Sequence, residues 1–294
     1  MSRKKKLLIL GAAGMAGHMV YTYLYETAKY EIATACHSGK VEPGSYDLDA
    51  YDTDRLTQII SGEKPDVVVN CIGILIKGAR TNPANAIYIN AYFPHKLSEI
   101  TRSVLPKSKV IHISTDCVFS GNEGGYKDSD TKNALDVYGM TKNLGELVND
   151  RDLTLRTSII GPEMKRDGEG LMHWVFSQKN KGKLDGWKKS LWGGVTTLEL
   201  AKVMEAAIDS NLTGLYQVSN NEAVSKYELI SLLVKEFRLP IVVNAVDGTV
   251  CDKSIFCSVR DDFSYTVPSY ETMISELHSF MTSHKSLYAQ YLGE

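Results

Sequence analysis

Cysteine chemistry has little to work with in this sequence. The five cysteines, Cys36, Cys71, Cys117, Cys251 and Cys257, are odd in number and contain no C-x-x-C pair. That excludes a disulfide framework and a cysteine-spaced structural zinc site, and it predicts reduced thiols. Net charge is also small, at -2 among 294 residues. Without a global basic field, nucleic-acid binding is not the expected task, and small molecules are the expected partners. Long apolar runs are missing too: none approaches the roughly 20 residues needed to span a bilayer. Ser2-Arg3-Lys4-Lys5-Lys6 leads into only a short apolar strand rather than a signal-peptide core, so no membrane association and a cytoplasmic location are expected. Internal repeats and low-complexity segments are absent.

What remains is an ordinary enzyme-like composition, 43% hydrophobic and 23% charged, enough for one large domain or two interleaved ones. Lys6-Leu7-Leu8-Ile9-Leu10 reads as a buried strand that runs directly into Gly11-Ala12-Ala13-Gly14-Met15-Ala16-Gly17 and then a helical pattern through Leu24. Strand, glycine turn and helix in that order suit a dinucleotide. Gly11 permits the tight turn, Gly14 lets backbone approach a pyrophosphate, and Gly17 lets helix and strand pack closely, with Met15 and Ala16 at the helix start that faces the anion.

Glu31 to Ala35 reads as the second strand, where a carboxylate for the ribose diol would normally follow. Here Ala35-Cys36-His37-Ser38-Gly39-Lys40 follows instead. His37, Ser38 and Lys40 are able to donate to a 2′-phosphate, so NADPH is the expected cofactor and NADH the alternative. Asp49 is a candidate adenine contact or a helix cap. Asp66 to Asn70 is the next buried strand, and Asn70-Cys71-Ile72-Gly73 would pass the adenosine ribose and pyrophosphate. Asn90, on the helix opened by Asn82-Pro83, is either a buried bridging amide or part of a water network.

Lys109 to Ile113 is a further strand, with Ser114-Thr115-Asp116 at its C-terminal end, the rim where open α/β sheets bind ligands. Tyr138 and Lys142, four apart, share one helix face. A free phenol titrates near ~10, and an ammonium beside it would favour the tyrosinate, making Tyr138 a usable acid. Thr115 would hold a carbonyl oxygen beside that phenol. Leu153 to Ile160 is read as one strand ending at Gly161-Pro162. Beyond it, Trp174, Trp187 and Trp192 alternate with five lysines, a candidate lid for a nucleotide-linked substrate or a small subdomain core. Leu198 to Met204 is helical, Gly214 to Ser219 a strand returning to the main sheet, and Ser225-x-x-Glu228 a capping box. Arg260 is the candidate bidentate diphosphate contact, with pairing to Asp261 or Asp262 as its alternative.

Gly11/Gly14/Gly17, Asn70 to Gly73, Ser114-Thr115-Asp116 and Tyr138-x-x-x-Lys142 together resemble the extended short-chain dehydrogenase/reductases. Ser-Thr-Asp-Cys-Val-Phe-Ser-Gly at 114 to 121, Arg-Thr-Ser at 156 to 158 and Trp-Gly-Gly-Val-Thr at 192 to 196 look like the dTDP-4-dehydrorhamnose reductase branch. The resemblance implies a Rossmann-type doubly wound parallel sheet with a smaller α/β C-terminal substrate-binding domain. The expected division is 1–162, with a return segment at about 195–234, against 163–194 and 235–294.

It further implies that Tyr138 is the acid, that Lys142 lowers its pKa and holds the nicotinamide ribose, and that Thr115 orients the keto oxygen. Asp116 would belong to the same site and Trp192 to the substrate pocket. The implied reaction is NADPH-dependent reduction of the C4 ketone of a nucleotide-linked 6-deoxy sugar, by a homodimer, in deoxysugar and cell-surface polysaccharide synthesis. No metal ligands are assigned. Two alternatives share the fold: an epimerase or dehydratase with tightly held NAD, and a non-catalytic NADP-binding regulatory subunit. Departures from the branch are Ala35 in place of an acid and Cys117 in place of an aromatic.

Overall fold

The structure is a computed structural model and describes residues 3–293. The chain alternates strand and helix from its start: β1 (Lys5–Leu10), α1 (Met15–Glu26), β2 (Tyr30–Cys36), β3 (Tyr46–Asp47), α2 (Thr53–Glu63) and β4 (Val67–Asn70). Two short helices, α3 (Ile76–Thr81) and α4 (Pro83–Ala86), lead through a π-helical turn at Ile87–Tyr92 into α5 (Phe93–Val104). Then come β5 (Lys109–Ser114), α6 (Val137–Leu144), β6 (Leu153–Arg156), β7 (Ile159–Ile160) and α7 (Leu171–Ser177). The remainder comprises β8 (Lys183–Trp187), β9 (Ser190–Trp192), β10 (Val195–Thr196), α8 (Thr197–Asp209), β11 (Gly214–Gln217), β12 (Val224–Ser225), α9 (Lys226–Glu236), β13 (Val242–Val246), β14 (Cys251–Asp252), α10 (Tyr270–Ser283) and α11 (Lys285–Leu292).

Seven strands form one sheet in the order β11-β6-β5-β4-β1-β2-β3, parallel throughout. This is the Rossmann arrangement, whose switch point lies between β1 and β4. The near-continuous apolar run of β1 follows from burial on both faces. Leu7 and Ile9 pack with Met19 and Val20 of α1 and Val203 and Met204 of α8. Leu8 and Leu10 point the other way, against Leu56 and Ile60 of α2 and Phe93 and Leu97 of α5. All four β1 side chains are fully buried, each worth about 1.5–3 kcal/mol relative to exposure.

Short sheets β12-β9-β14, β13-β8 and β10-β7 complete the molecule. The expected capping box is formed: the Ser225 hydroxyl accepts from Glu228 N at 3.1 Å, and the Glu228 carboxylate accepts from Ser225 N at 2.9 Å. One strand expectation is corrected. Leu153 to Ile160 is two strands, because after Arg156 the chain leaves the main sheet and β7 pairs with β10 instead of continuing beside β5. Among the described residues no helix is long and apolar enough to cross a membrane.

Candidate active site

The glycine turn sits at the C-terminal end of β1 and is shaped by contacts that a side chain would destroy. Gly11 has φ +72°, and a Cβ there would lie 3.0 Å from the Cys71 carbonyl carbon and the Ile72 nitrogen. At Gly17 a Cβ would lie 2.2 Å from Gly11 O, so only glycine lets α1 close on the turn. Gly14 caps α1 without a side-chain hydrogen bond, and the first turn carries no acidic residue. The Met15, Ala16 and Gly17 amides are therefore at the disposal of an anion, as a dinucleotide pyrophosphate requires.

The loop after β2 touches this turn, since a Cβ on Gly39 would lie 3.8 Å from that of Ala13. His37 and Ser38 are exposed there, as a ribose or phosphate contact must be. Lys40 instead faces Asp47, 3.7 Å away. Asp49 does not cap α2; Asp52 does, accepting from Arg55 N at 2.8 Å, while Asp49 closes a turn onto Tyr51 N. Asn70 is buried, its Oδ1 accepting from Ile72 N at 3.1 Å and its Nδ2 directed at His112 Nδ1, also 3.1 Å away. Only the backbone of Cys71, Ile72 and Gly73 is left to pass a ligand on this side. Asn90 proves to be the bridging amide, bonding both N and O of Ile74 at 2.8 and 2.9 Å from within the π-helical turn.

Thr115, Tyr138 and Lys142 are brought together at the same rim. Asp136 caps α6, accepting from Gly139 N at 2.8 Å. Gly139 then lets the helix lie directly on the Cys117 carbonyl. The Thr115 hydroxyl accepts from Cys117 N at 3.1 Å, donates to Asp116 Oδ1 at 3.0 Å and reaches the Tyr138 phenol. Lys142 Nζ donates to Ile113 O at 2.7 Å, lies 3.3 Å from His112 Nε2 and interacts with the Cys71 thiol. Gly11 packs on the backbone of Cys71, and the preceding Asn70 lies 3.1 Å from the His112 ring that neighbours Lys142, so the Tyr138 helix and the glycine turn meet the sheet at adjoining strand ends.

Electrostatics depart from the expectation for Tyr138. Burial raises its phenol above the ordinary value and the nearby Cys117 adds to this, with the Thr115 hydrogen bond pulling the other way. Lys142 is not the group that sets it. Burial lowers Lys142 itself to about 8, against attraction from Glu146 and Cys71. Burial likewise raises the Asp116 carboxyl, opposed by the Lys253 charge.

Two candidate substrate contacts are held by protein partners. Arg260 forks onto Asp262, with Nε to Oδ1 at 2.7 Å, and its third donor goes to Thr213 O, beside the N-terminal end of β11 and away from the ligand rim. Trp192 is 6% exposed, bonds Ser158 Oγ at 2.8 Å and packs on Tyr270, so it is a core residue. Three of the five lysines of the supposed lid are engaged elsewhere: Lys188 and Lys189 with Asp247, Lys179 with Tyr291 O.

Sequence reasoning missed the cation that does approach the site. Lys253 lies against Gly121, where a Cβ would meet its Cγ at 2.9 Å. Burial disfavours its charge, but Cys117, Asp116 and Asp136 together hold it above the ordinary lysine value. Also missed was the support beneath Thr115. Glu146 accepts from Ser114 Oγ at 2.7 Å and from Arg156 Nε and Nη2 at 2.7 and 2.6 Å, and Arg156 Nη1 reaches Gln217 at 2.8 Å. The available signal was an arginine closing a short strand that is buried throughout. Finally, Tyr291 on α11 accepts from Glu163 N at 2.8 Å, and Glu163 Oε1 accepts from Gly170 N at 2.6 Å. Gly170 in turn packs on Met15, where a Cβ would meet Cε at 2.6 Å.

The fold has solved counterparts. A hypothetical dTDP-4-dehydrorhamnose reductase from Sulfolobus tokodaii superposes with TM-score 0.74 at 28% identity, covering 85% of this chain and 91% of that one. The Bacillus anthracis dTDP-4-dehydrorhamnose reductase in complex with NADP gives TM-score 0.80 at 21% identity, over 95% of this chain and 100% of that one. In sequence, methionine adenosyltransferase 2 subunit beta from Xenopus tropicalis is 25% identical over 248 residues, 80% of this chain and 73% of its own length. The family model described as the RmlD substrate binding domain matches residues 5–251, and the chain belongs to that family.

Proposed function

We propose that the protein is an NADPH-dependent reductase of the C4 ketone of a nucleotide-linked 4-keto-6-deoxy sugar. The observation that carries this reading is the adjacency of the two features along the strand ends: Gly11 packs on the backbone of Cys71, and the preceding residue, Asn70, lies 3.1 Å from His112, whose Nε2 is 3.3 Å from Lys142 Nζ on the Tyr138 helix. The glycine contacts and free first-turn amides fit a pyrophosphate, and the exposed His37 and Ser38 fit a 2′-phosphate. When bound, the reduced dinucleotide supplies the hydride that goes to the ketone carbon.

The chain's own residues supply the rest. Tyr138, kept protonated by burial, gives its proton to the ketone oxygen as that oxygen becomes the alcohol. Thr115 orients the same oxygen from the other side. Lys253 offers a positive charge for the substrate's phosphates, the role expected of Arg260. The names carried by the Sulfolobus tokodaii and Bacillus anthracis relatives support this substrate class.

The test is a panel of nucleotide-linked 4-keto sugars with NADPH and NADH side by side. Loss of reduced-cofactor absorbance with one of them supports the reading. A second reading, a non-catalytic subunit, is favoured by the similarity to methionine adenosyltransferase 2 subunit beta. NADPH binding with no turnover on the whole panel would favour that reading.

A further inference from the structure

The main sheet protects both of its edges. β3 is only two residues long, and β11 is covered by later chain, Gln217 O accepting from Ser258 N at 3.1 Å and Gln217 N donating to Ser258 Oγ at 2.8 Å. β13 has no such cover. It pairs in parallel with β8 in a sheet of just two strands, backed by α9, and its sequence, Val242-Val243-Asn244-Ala245-Val246, contains no charge, proline or glycine. Those are the devices that normally keep an edge strand from pairing with another chain, and a two-stranded sheet is marginal on its own.

The register fixes which backbone groups of β13 are left over. Val242 N donates to Gly182 O at 2.9 Å and Val246 O accepts from Lys188 N at 2.8 Å, so Val242, Asn244 and Val246 turn their amides and carbonyls toward β8. The N–H and C=O groups of Val243 and Ala245 therefore point outward, and among the described residues none of the four has a hydrogen-bond partner. Asn244 and Ala245 are exposed and Val242 is 65% exposed, so the edge is open.

Two outward donors and two outward acceptors, placed evenly on either side of Asn244, complement themselves when the strand is turned end for end. We propose that two copies of this chain join along β13, with Val243 of one copy exchanging both backbone bonds with Ala245 of the other, and the reverse, about a twofold axis at Asn244. The product is one four-stranded sheet in the order β8-β13-β13-β8. Val242 then stands opposite Val246 of the other copy, a pair of β-branched side chains on the same face. No charge is buried in the process. Asp185, one strand back, accepts from Asn244 Nδ2 at 3.2 Å, and Asp247, just past the strand, is held by Lys188 and Lys189 at 3.3 and 2.7 Å. The pairing uses no residue of the proposed active site, so its success or failure is independent of the reductase reading.

Sedimentation velocity on the full chain, from low to high micromolar concentration, should show a reversible monomer–dimer equilibrium. Ala245→Pro removes one outward N–H from each copy and leaves the bonds to β8 in place, so it should raise the dimer dissociation constant by about tenfold or more. A position-specific test fixes the register. Asn244→Cys sets two thiols across a non-hydrogen-bonded pair, where Cα atoms stand about 4.5 Å apart, and should cross-link rapidly with diamide. Val242→Cys, two residues off the axis, should not, and the parent protein controls for its own cysteines. A monomer at every concentration, a dimer that Ala245→Pro leaves intact, or cross-linking through Val242→Cys in place of Asn244→Cys would overturn the proposal. If Ala245→Pro does not fold, the two cysteine variants decide alone.

Discussion

A side-chain carbon on Gly139 would sit 2.1 Å from the carbonyl oxygen of Cys117. The helix that carries Tyr138 and the loop that carries Thr115 are thus in backbone contact at this one residue. Gly139→Ala must push them apart. A displacement near 1 Å should lower kcat by roughly 100-fold, and overpacking should cost about 1–3 kcal/mol. Steady-state kinetics and urea unfolding on the same variant check both numbers. Full activity in a folded Gly139→Ala protein would mean the contact does not set the geometry.

Tyr138→Phe removes the proton donor and leaves the dinucleotide cradle intact. Turnover should fall by about 100- to 10,000-fold while the NADPH dissociation constant stays within a few-fold of the parent. Fluorescence titration and single-turnover absorbance separate the two effects.

Lys253 and Arg260 should exchange the roles that sequence alone suggested. Lys253→Ala should raise KM for the nucleotide sugar by about tenfold, the loss of one charge-assisted contact. Arg260→Ala, whose fork is spent on Asp262, should leave KM and kcat near the parent values. The opposite outcome would return the diphosphate to Arg260.

Arg156 and Glu146 form a fully buried pair 2.6 Å apart. Arg156→Met leaves Glu146 with only the more distant Lys132, 3.8 Å away, and should cost up to about 3–5 kcal/mol in chemical denaturation. The Ser114 hydroxyl is bonded to that same carboxylate, so Thr115 should shift with it and kcat should fall as well.

Acid should weaken the fold through His18. Burial lowers this ring to about 4 from 6.5, against a hydrogen bond to the Gly14 carbonyl. Because its folded pKa lies below its unfolded one, the unfolded chain binds the extra proton between those two values. Stability should therefore rise with pH across the window and be lost as pH falls through it, by up to about 3 kcal/mol. Urea midpoints measured from pH 4 to 7 should show a steeper slope for the parent than for His18→Gln.

Legibility in the sequence followed the range of the forces involved. The β1 strand, the glycine turn and the Ser225 capping box are local: their residues touch within a few positions, so spacing alone identifies them. Thr115 and Tyr138 were legible because each stands at a fixed place on an element of a parallel sheet. Arg260 and Trp192 were not, since their partners, Asp262 with Thr213 and Ser158 with Tyr270, are chosen by tertiary packing among several chemically equal options. The acidity of Tyr138 was misjudged for a different reason. Spacing brings Lys142 onto its helix face, but the outcome is a contest between charge and desolvation, and only burial decides it.

The ties from Tyr291 through Glu163 and Gly170 to Met15 make the final helix a brace for the first turn. A disturbance of α11 is therefore felt at the turn after β1. Substitutions that detach α11, such as Tyr291→Ala, should loosen the grip on the pyrophosphate without touching the glycine turn that would cradle it.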